Sequence, residues 1–97
     1  MYRIEQVVAE RELTSAHGPV RVRIGLPQPD PQPGGDWFCP VQILGIGDDE
    51  VVAAFGLDSV QALLHGLQMA GIRLQSADRS GALLRWLGAE ELGFPEI

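Results

Sequence analysis

The chain has 97 residues, 45% of them hydrophobic and 21% charged, which suits one soluble domain with one core and leaves no room for a second. Thirteen acidic residues against seven basic ones give a formal net charge of −6, which disfavours nucleic-acid binding and favours a basic protein partner. All seven basic residues are arginine, so the sequence excludes chemistry that needs a lysine side chain, such as a Schiff base or a phosphate-loop lysine.

Two β-like runs near the N-terminus, residues 4–13 and 20–26, flank a segment rich in turn formers and predict a hairpin. One register gathers apolar residues on one face and pairs opposite charges across the strands on the other. Its pairs are Leu13 with Val20, Glu12 with Arg21 and Glu10 with Arg23. Arg11 falls on the apolar face of this hairpin, where a charge fits badly.

A proline-rich segment follows at residues 27–35, with a proline at every second position from 27 to 33. Proline lacks the backbone donor that a central strand needs. The segment is therefore predicted to be a loop that connects two hairpins.

Residues 37–46 and 51–55 form a second pair of β-like runs, for which we predict a tight turn at Asp48 and Asp49. Both faces of this hairpin are apolar. An antiparallel sheet with one wet face alternates apolar and polar residues, so these strands are expected to be central or covered on both sides.

A long helix is predicted from Asp58 to roughly Leu74, with Asp58 as N-cap and Gln61 in the capping-box position. At helical spacing five larger aliphatic residues and one glycine form one stripe, which we expect to pack on the sheet. Its members are Val60, Leu63, Leu64, Leu67, Gly71 and Leu74. The other side carries little charge and is a candidate interface with another chain: Ala62, His65, Gly66, Met69 and Ile72. Gly66 costs a helix about 1 kcal/mol relative to alanine, which indicates a close neighbour.

Two apolar segments follow a polar connector at residues 75–81. The spacing of residues 82–87 does not distinguish a helical turn from a short strand. Residues 92–97 are too apolar to stay in water and are expected to dock on the domain. These segments, or a second copy of the chain, are the candidates to cover the outer face of the helix.

Reactive side chains fall in no catalytic or metal-binding spacing. Cys39 would need a nearby base, for which His17 and His65 are the available imidazoles, and it sits in a strand-like run typical of a buried cysteine. The acidic residues 48–50 lack the spacing of a calcium loop. We therefore predict no catalytic residue, no cofactor and no metal.

The compartment is predicted from two features. A single cysteine cannot form an internal disulfide, and the first residues lack the apolar run of a signal peptide. No run is long enough to cross a bilayer. We expect a cytoplasmic protein without membrane contact.

Three stretches of this sequence carry a resemblance to a known family. They are Trp37-Phe38-Cys39-Pro40 before a β-run, Gly56-Leu57-Asp58-Ser59-Val60-Gln61-Ala62-Leu63 at the helix start, and Trp86-Leu87-Gly88 followed by Leu92-Gly93-Phe94-Pro95. Over about residues 37–95 the chain resembles a family of small bacterial α+β domains of unknown function. The resemblance implies a bacterial protein and transfers no catalytic residue.

Together these patterns predict an α+β fold of one domain, residues 1–97. It comprises a four-stranded antiparallel sheet of two sequential hairpins, one long helix packed on one face and an apolar C-terminal segment. Apolar surface on both sides of the helix and of the second hairpin predicts a symmetric homodimer.

The predicted function is a non-catalytic protein–protein interaction domain. Neutralisation of a basic partner, in the manner of a bacterial immunity protein, is one specific form of it. The alternative is a small-molecule-binding or enzymatic domain with a pocket between helix and sheet, lined by Trp37, Phe55 and Trp86.

Overall fold

The computed structural model describes residues 2–32, 34 and 36–96 and confirms the α+β class. The elements are β1 (Val7–Ser15), β2 (Gly18–Gly25), β3 (Gln28–Pro29), β4 (Trp37–Leu44), β5 (Val51–Gly56) and α1 (Ser59–Ala77). The strands form an antiparallel sheet in which β2 lies between β1 and β4. β5 pairs along the opposite edge of β4. The core lies between the sheet and α1.

The proline-rich segment contains a fifth strand, so the prediction of four strands is wrong. Gln28 and Pro29 pair with Phe38 and Trp37 at the start of β4. Proline is tolerated at this place because, within the described part of the chain, β3 pairs with β4 alone and its other edge needs no donor. Pro33 and Gly35 of the predicted loop lie outside the described residues.

The first hairpin has the predicted register, with Leu13 opposite Val20. Its cross-strand charges pair as predicted: Arg21 lies 2.9 Å from Glu12 and Arg23 lies 3.4 Å from Glu10. At the open end a bulge places Val7 opposite Gly25. The agreement shows that matched apolar and charged faces specify a register.

The second hairpin has a longer loop than predicted. Gln42 pairs with Val51, so β4 ends at Leu44 and residues 45–50 form the connection. The tight turn at Asp48 and Asp49 is therefore wrong. Asp49 closes the longer loop instead, since its Oδ1 accepts from Gly45 N at 3.2 Å and its carbonyl accepts from Gln42 Nε2 at 2.7 Å.

Helix α1 begins as predicted. The Oδ1 atom of Asp58 accepts a hydrogen bond from Gln61 N at 2.8 Å, and Gln61 Oε1 accepts one from Leu57 N at 2.7 Å. These two bonds satisfy backbone donors that the first turn of a helix leaves free. The helix continues beyond Leu74 to Ala77 and runs into a π-helical turn, Asp78–Ala82.

The face that α1 turns to the sheet overlaps the predicted one but is rotated from it: Leu63, Leu67 and Leu74 of the predicted stripe contact the core, as expected. Its buried residues are Ala62, Gly66, Ala70 and Leu74, whereas Val60 and Leu64 are 74% and 44% exposed. The small side chains let the helix backbone approach β4 closely, which large aliphatic residues would prevent. A Cβ atom at Gly66 would lie 2.8 Å from Cys39 Sγ.

The C-terminal segment docks on the domain, as predicted. Residues 82–87 form neither a helix nor a full strand: Leu83 has a φ of 53°, and Arg85 then pairs with Thr14 through two backbone hydrogen bonds of 3.0 Å. This pairing extends the outer edge of β1. Leu84 is buried in the core beside it.

The N-terminal residues cover part of the sheet face opposite the helix. The ring centre of Tyr2 lies 4.7 Å from that of Phe38 and 5.7 Å from that of Phe55. A Cβ atom at Gly25 would lie 3.1 Å from Ile4 Cγ1, which places Ile4 on the same face. The apolar second face of β4 is thus covered within the chain.

The close contact between Gly66 and β4 makes Gly66→Ala a test of the packing. Overpacking of about 1–3 kcal/mol should exceed the helix-propensity gain of about 1 kcal/mol, so the free energy of unfolding in urea falls. In a Cys39→Ala background the same substitution should cost less, because the contact with Sγ is removed while those with the Cβ of residue 39 at 3.2 Å and with Val41 Cγ2 at 3.3 Å remain. An equal loss in both backgrounds would contradict the packing described.

Candidate functional site

Arg11, on the helix side of β1, holds the C-terminal segment in place. Its Cζ atom lies 3.8 Å from the ring centre of Trp86 and 5.0 Å from that of Phe94. Its Nη1 atom donates to Leu92 O at 2.9 Å and to Gly93 O at 3.1 Å. The charge that fits badly on an apolar strand face is therefore stabilised by aromatic faces and backbone carbonyls.

An acidic groove of about 360 Å³ runs between α1 and this docked segment. Its acidic residues are Asp78, Glu90, Glu91 and Glu96. On the helix side Gln68 and Ile72 line it, and Gln68 Nε2 donates to Glu96 O at 3.2 Å. No arginine is among the lining residues that the structure describes, so the groove presents negative charge beside apolar surface.

An apolar stripe lies on the outer face of the helix start. Its members are Leu57, Val60 and Leu64, whose side chains are 76%, 74% and 44% exposed. Val60 and Leu64 are one helical turn apart and lie on one face of α1, and Leu57 lies just before the N-cap Asp58. Gln68 follows one turn after Leu64, so the stripe leads directly into the acidic groove.

The structure divides the predicted interface residues between core and surface. Ala62 and Gly66 are buried against the sheet, so the prediction that they form an exposed face is wrong. His65 and Met69 are half-buried, and His65 Nδ1 donates to a backbone carbonyl of β5 at 2.7 Å. Ile72 is 47% exposed at the edge of the acidic groove.

The three aromatic residues of the alternative prediction do not share a pocket. Trp37 pairs with Gly56 and contacts the helix-side core, whereas Phe55, one residue earlier on β5, points to the opposite face of the sheet. Trp86 lies at β1 against Arg11. Strand alternation and chain order separate these side chains, so a shared pocket lined by them is not formed.

Cys39 has the environment of a core residue. It is fully buried, its Sγ atom is 3.6 Å from Gly25 O, and burial raises its pKa from 9.0 to about 11. A thiol with a raised pKa is a poor nucleophile at neutral pH because the thiolate is the reactive form.

The aspartates of the acidic loop before β5 accept hydrogen bonds from backbone N–H groups of the same loop. Asp48 Oδ1 accepts from Glu50 N at 3.0 Å, and Asp49 closes the loop as described above. Across residues 2–32, 34 and 36–96, no three His, Cys, Asp or Glu side chains are arranged to hold a metal ion. In the same residues no helix has the length and apolar content to cross a membrane.

Sequence reasoning did not identify Arg11 or the groove acids as a unit. The misfit of Arg11 on an apolar face was the available signal, since a charge in such a place needs unusual partners. Nothing local connects Asp78 with Glu96, because docking of the C-terminal segment alone brings them to one groove.

Arg11→Met should destabilise the domain although methionine keeps most of the apolar stem of arginine. The loss of two charge-assisted hydrogen bonds and the cation–π contact should lower the free energy of unfolding by about 2–4 kcal/mol and expose the C-terminal segment to proteolysis. Arg21→Met, which removes an exposed ion pair on the same hairpin, should cost about 0.5 kcal/mol. Equal losses in urea unfolding would show that Arg11 has no special role.

Cys39 should resist alkylation by iodoacetamide at pH 8 in the folded protein and react rapidly in urea. Between pH 8 and 11 the folded-state rate should rise with the thiolate fraction, because the raised pKa delays ionisation. Mass spectrometry of timed samples measures both rates. Rapid modification of folded protein at pH 8 would contradict the buried, protonated thiol.

Comparison with known proteins gives a family. The match is to Domain of unknown function (DUF6968) and covers residues 9–96, a longer stretch than the resemblance noted in the sequence. No curated protein and no solved structure matches the chain significantly. The match includes the helix, the Arg11-bound segment and all strands except the first two residues of β1. The chain therefore belongs to the DUF6968 family of domains of unknown function.

Proposed function

We propose that the chain is a non-catalytic protein–protein interaction domain that binds a basic, amphipathic segment of a partner protein. The observation that carries this proposal is the continuity between the exposed stripe Leu57–Val60–Leu64 and the acidic groove on the same side of α1. Apolar side chains of the partner would cover the stripe, and its cations would lie in the groove.

Exposure of the stripe supports the apolar half of this proposal. Leu57 and Val60 each leave about three quarters of their surface in water, whereas farther along α1 the C-terminal segment packs against the helix at Gly71. An uncovered apolar row at the rim of a polar groove is typical of helix-face recognition.

Charge supports the basic partner. The groove has four carboxylates, and Glu90 is paired only loosely, its Oε1 lying 3.7 Å from Arg85 with 87% of its side chain exposed. The net charge of −6 steers basic partners toward the chain. Neutralisation of a basic protein in a bacterial toxin system is one specific form of this function.

Self-association is the competing use of the stripe. Two copies packed through it would bring their acidic grooves near one another, and this repulsion disfavours a dimer at low salt. The homodimer, the bacterial origin and the cytoplasmic location stay predictions from the sequence.

A designed helical peptide with leucines on one face and arginines on the other tests the proposal by isothermal titration. Val60→Ser should weaken binding about tenfold, and Glu91→Gln should weaken it less and reduce its salt dependence. Leu87→Ser and Glu50→Gln are matched controls, since both residues are exposed outside this surface and should change little. Equal binding of the same peptide with glutamate in place of arginine would contradict the proposal.

Light scattering on a size-exclusion column distinguishes whether a partner protein or a second copy of the chain covers the stripe. A monomer at high micromolar concentration agrees with a partner-binding surface. A dimer that Val60→Ser dissociates would assign the stripe to a second copy and overturn the proposal of a basic partner there.

A further inference from the structure

Arg73 is the arginine whose environment the fold does not explain. It lies on the sheet-facing side of α1, one residue before the buried Leu74, and is itself half-buried. Its Nη1 atom is buried and has no hydrogen-bond partner among the described residues. None of the ion pairs among the described residues includes Arg73.

An unpartnered guanidinium nitrogen is costly. Arginine cannot lose its proton in a protein, so burial cannot neutralise the charge as it can for lysine or histidine. A buried donor without an acceptor loses the hydrogen bonds that water gave it in the unfolded chain. The described residues supply no acceptor for this nitrogen.

Arg73 lines a cleft of about 630 Å³ between the end of α1 and one end of the sheet. The other polar side chains that line it are Ser15, His17, Ser76 and Ser80. Among the described serines of the cleft, Ser15 alone uses its hydroxyl within the fold, donating to Gly18 O at 2.8 Å. The hydroxyls of Ser76 and Ser80, which line the same cleft as Arg73, make no side-chain hydrogen bond with the described residues.

Among the residues that the structure describes, none that lines the cleft is acidic, although the chain has thirteen acids and a net charge of −6. Asp48 and Asp49 in the neighbouring loop bind backbone donors of that loop, and Asp78 Oδ1 accepts from Leu84 N. The described lining of the cleft thus has one arginine and no carboxylate, in contrast to the acidic composition of the whole chain. The volume of the cleft suits a small organic ligand.

We propose that this cleft binds a small molecule through a phosphate or carboxylate group held by the guanidinium of Arg73, with Ser76 and Ser80 as additional hydrogen-bond donors. Guanidinium recognises both kinds of oxyanion through paired N–H donors. The site is separate from the acidic groove, so it does not depend on the proposed partner surface.

Titration of the isotope-labelled full chain with sodium phosphate and with sodium citrate tests this site by NMR. Binding with a Kd in about the millimolar range should change the NMR chemical shifts of the backbone amides of residues 45–47 and 76–82. The anion that binds more tightly identifies the kind of oxyanion that the site prefers. Arg73→Met, which keeps the apolar stem, should weaken binding about tenfold or more. Arg79→Met removes the same charge from an exposed residue outside the cleft and should leave the affinity within about twofold.

Thermal unfolding distinguishes ligand binding from a structural role of Arg73. The Tm of the wild type and of Arg79→Met should rise with the concentration of the binding anion, whereas the Tm of Arg73→Met should not. Without anion, Arg73→Met should be as stable as the wild type or more stable, because it removes an uncompensated charge. Absence of shifts with both anions, or equal weakening in the two variants, would overturn the proposal.

Discussion

The close approach of α1 to β4 is the constraint on which the rest of the structure depends. Ala62, Gly66 and Ala70 leave space for the sheet, so the helix lies low over β4 and β5. On either side of these small residues, Leu63, Leu67 and Leu74 of the helix pack into the core. The core is completed from the sheet side by Val41 and Ile43, which are fully buried.

Two consequences follow from that placement. Val60 and Leu64 of the first helix turns point away from the sheet and form part of the exposed stripe, whereas Leu63 packs against the core. The helix also leaves β1 and β2 uncovered, and the C-terminal segment takes that place with Arg11 as its anchor. The acidic groove exists because this segment lies beside the helix, so fold and candidate partner surface share one cause.

The two sides of the C-terminal half of α1 differ in electrostatic character. Near its middle the docked segment brings carboxylates of Glu90, Glu91 and Glu96 alongside α1. At its end, on the sheet side, Arg73 faces a cleft without any acidic lining residue among those described. A chain with uniform negative charge would not separate the two in this way. This separation is the basis for proposing two distinct ligands, a basic macromolecule and a small anion.

The sequence by itself determined the local features: the Leu13–Val20 register, the Asp58 cap, the absence of lysine chemistry and the α+β class. These depend on neighbours in the chain or on strand pairs joined by a short turn, whose patterns are explicit in the residues. Only the tertiary structure decided which face of α1 is buried, because apolar residues occupy both sides of the helix. A prediction from hydrophobicity selects the face with the leucines, whereas the face with glycine and alanine allows the closer contact with the sheet. It also decided the partners of Arg11 and Arg73, because these come from segments distant in sequence that meet only when the C-terminal segment and the strand-end loops pack against the helix.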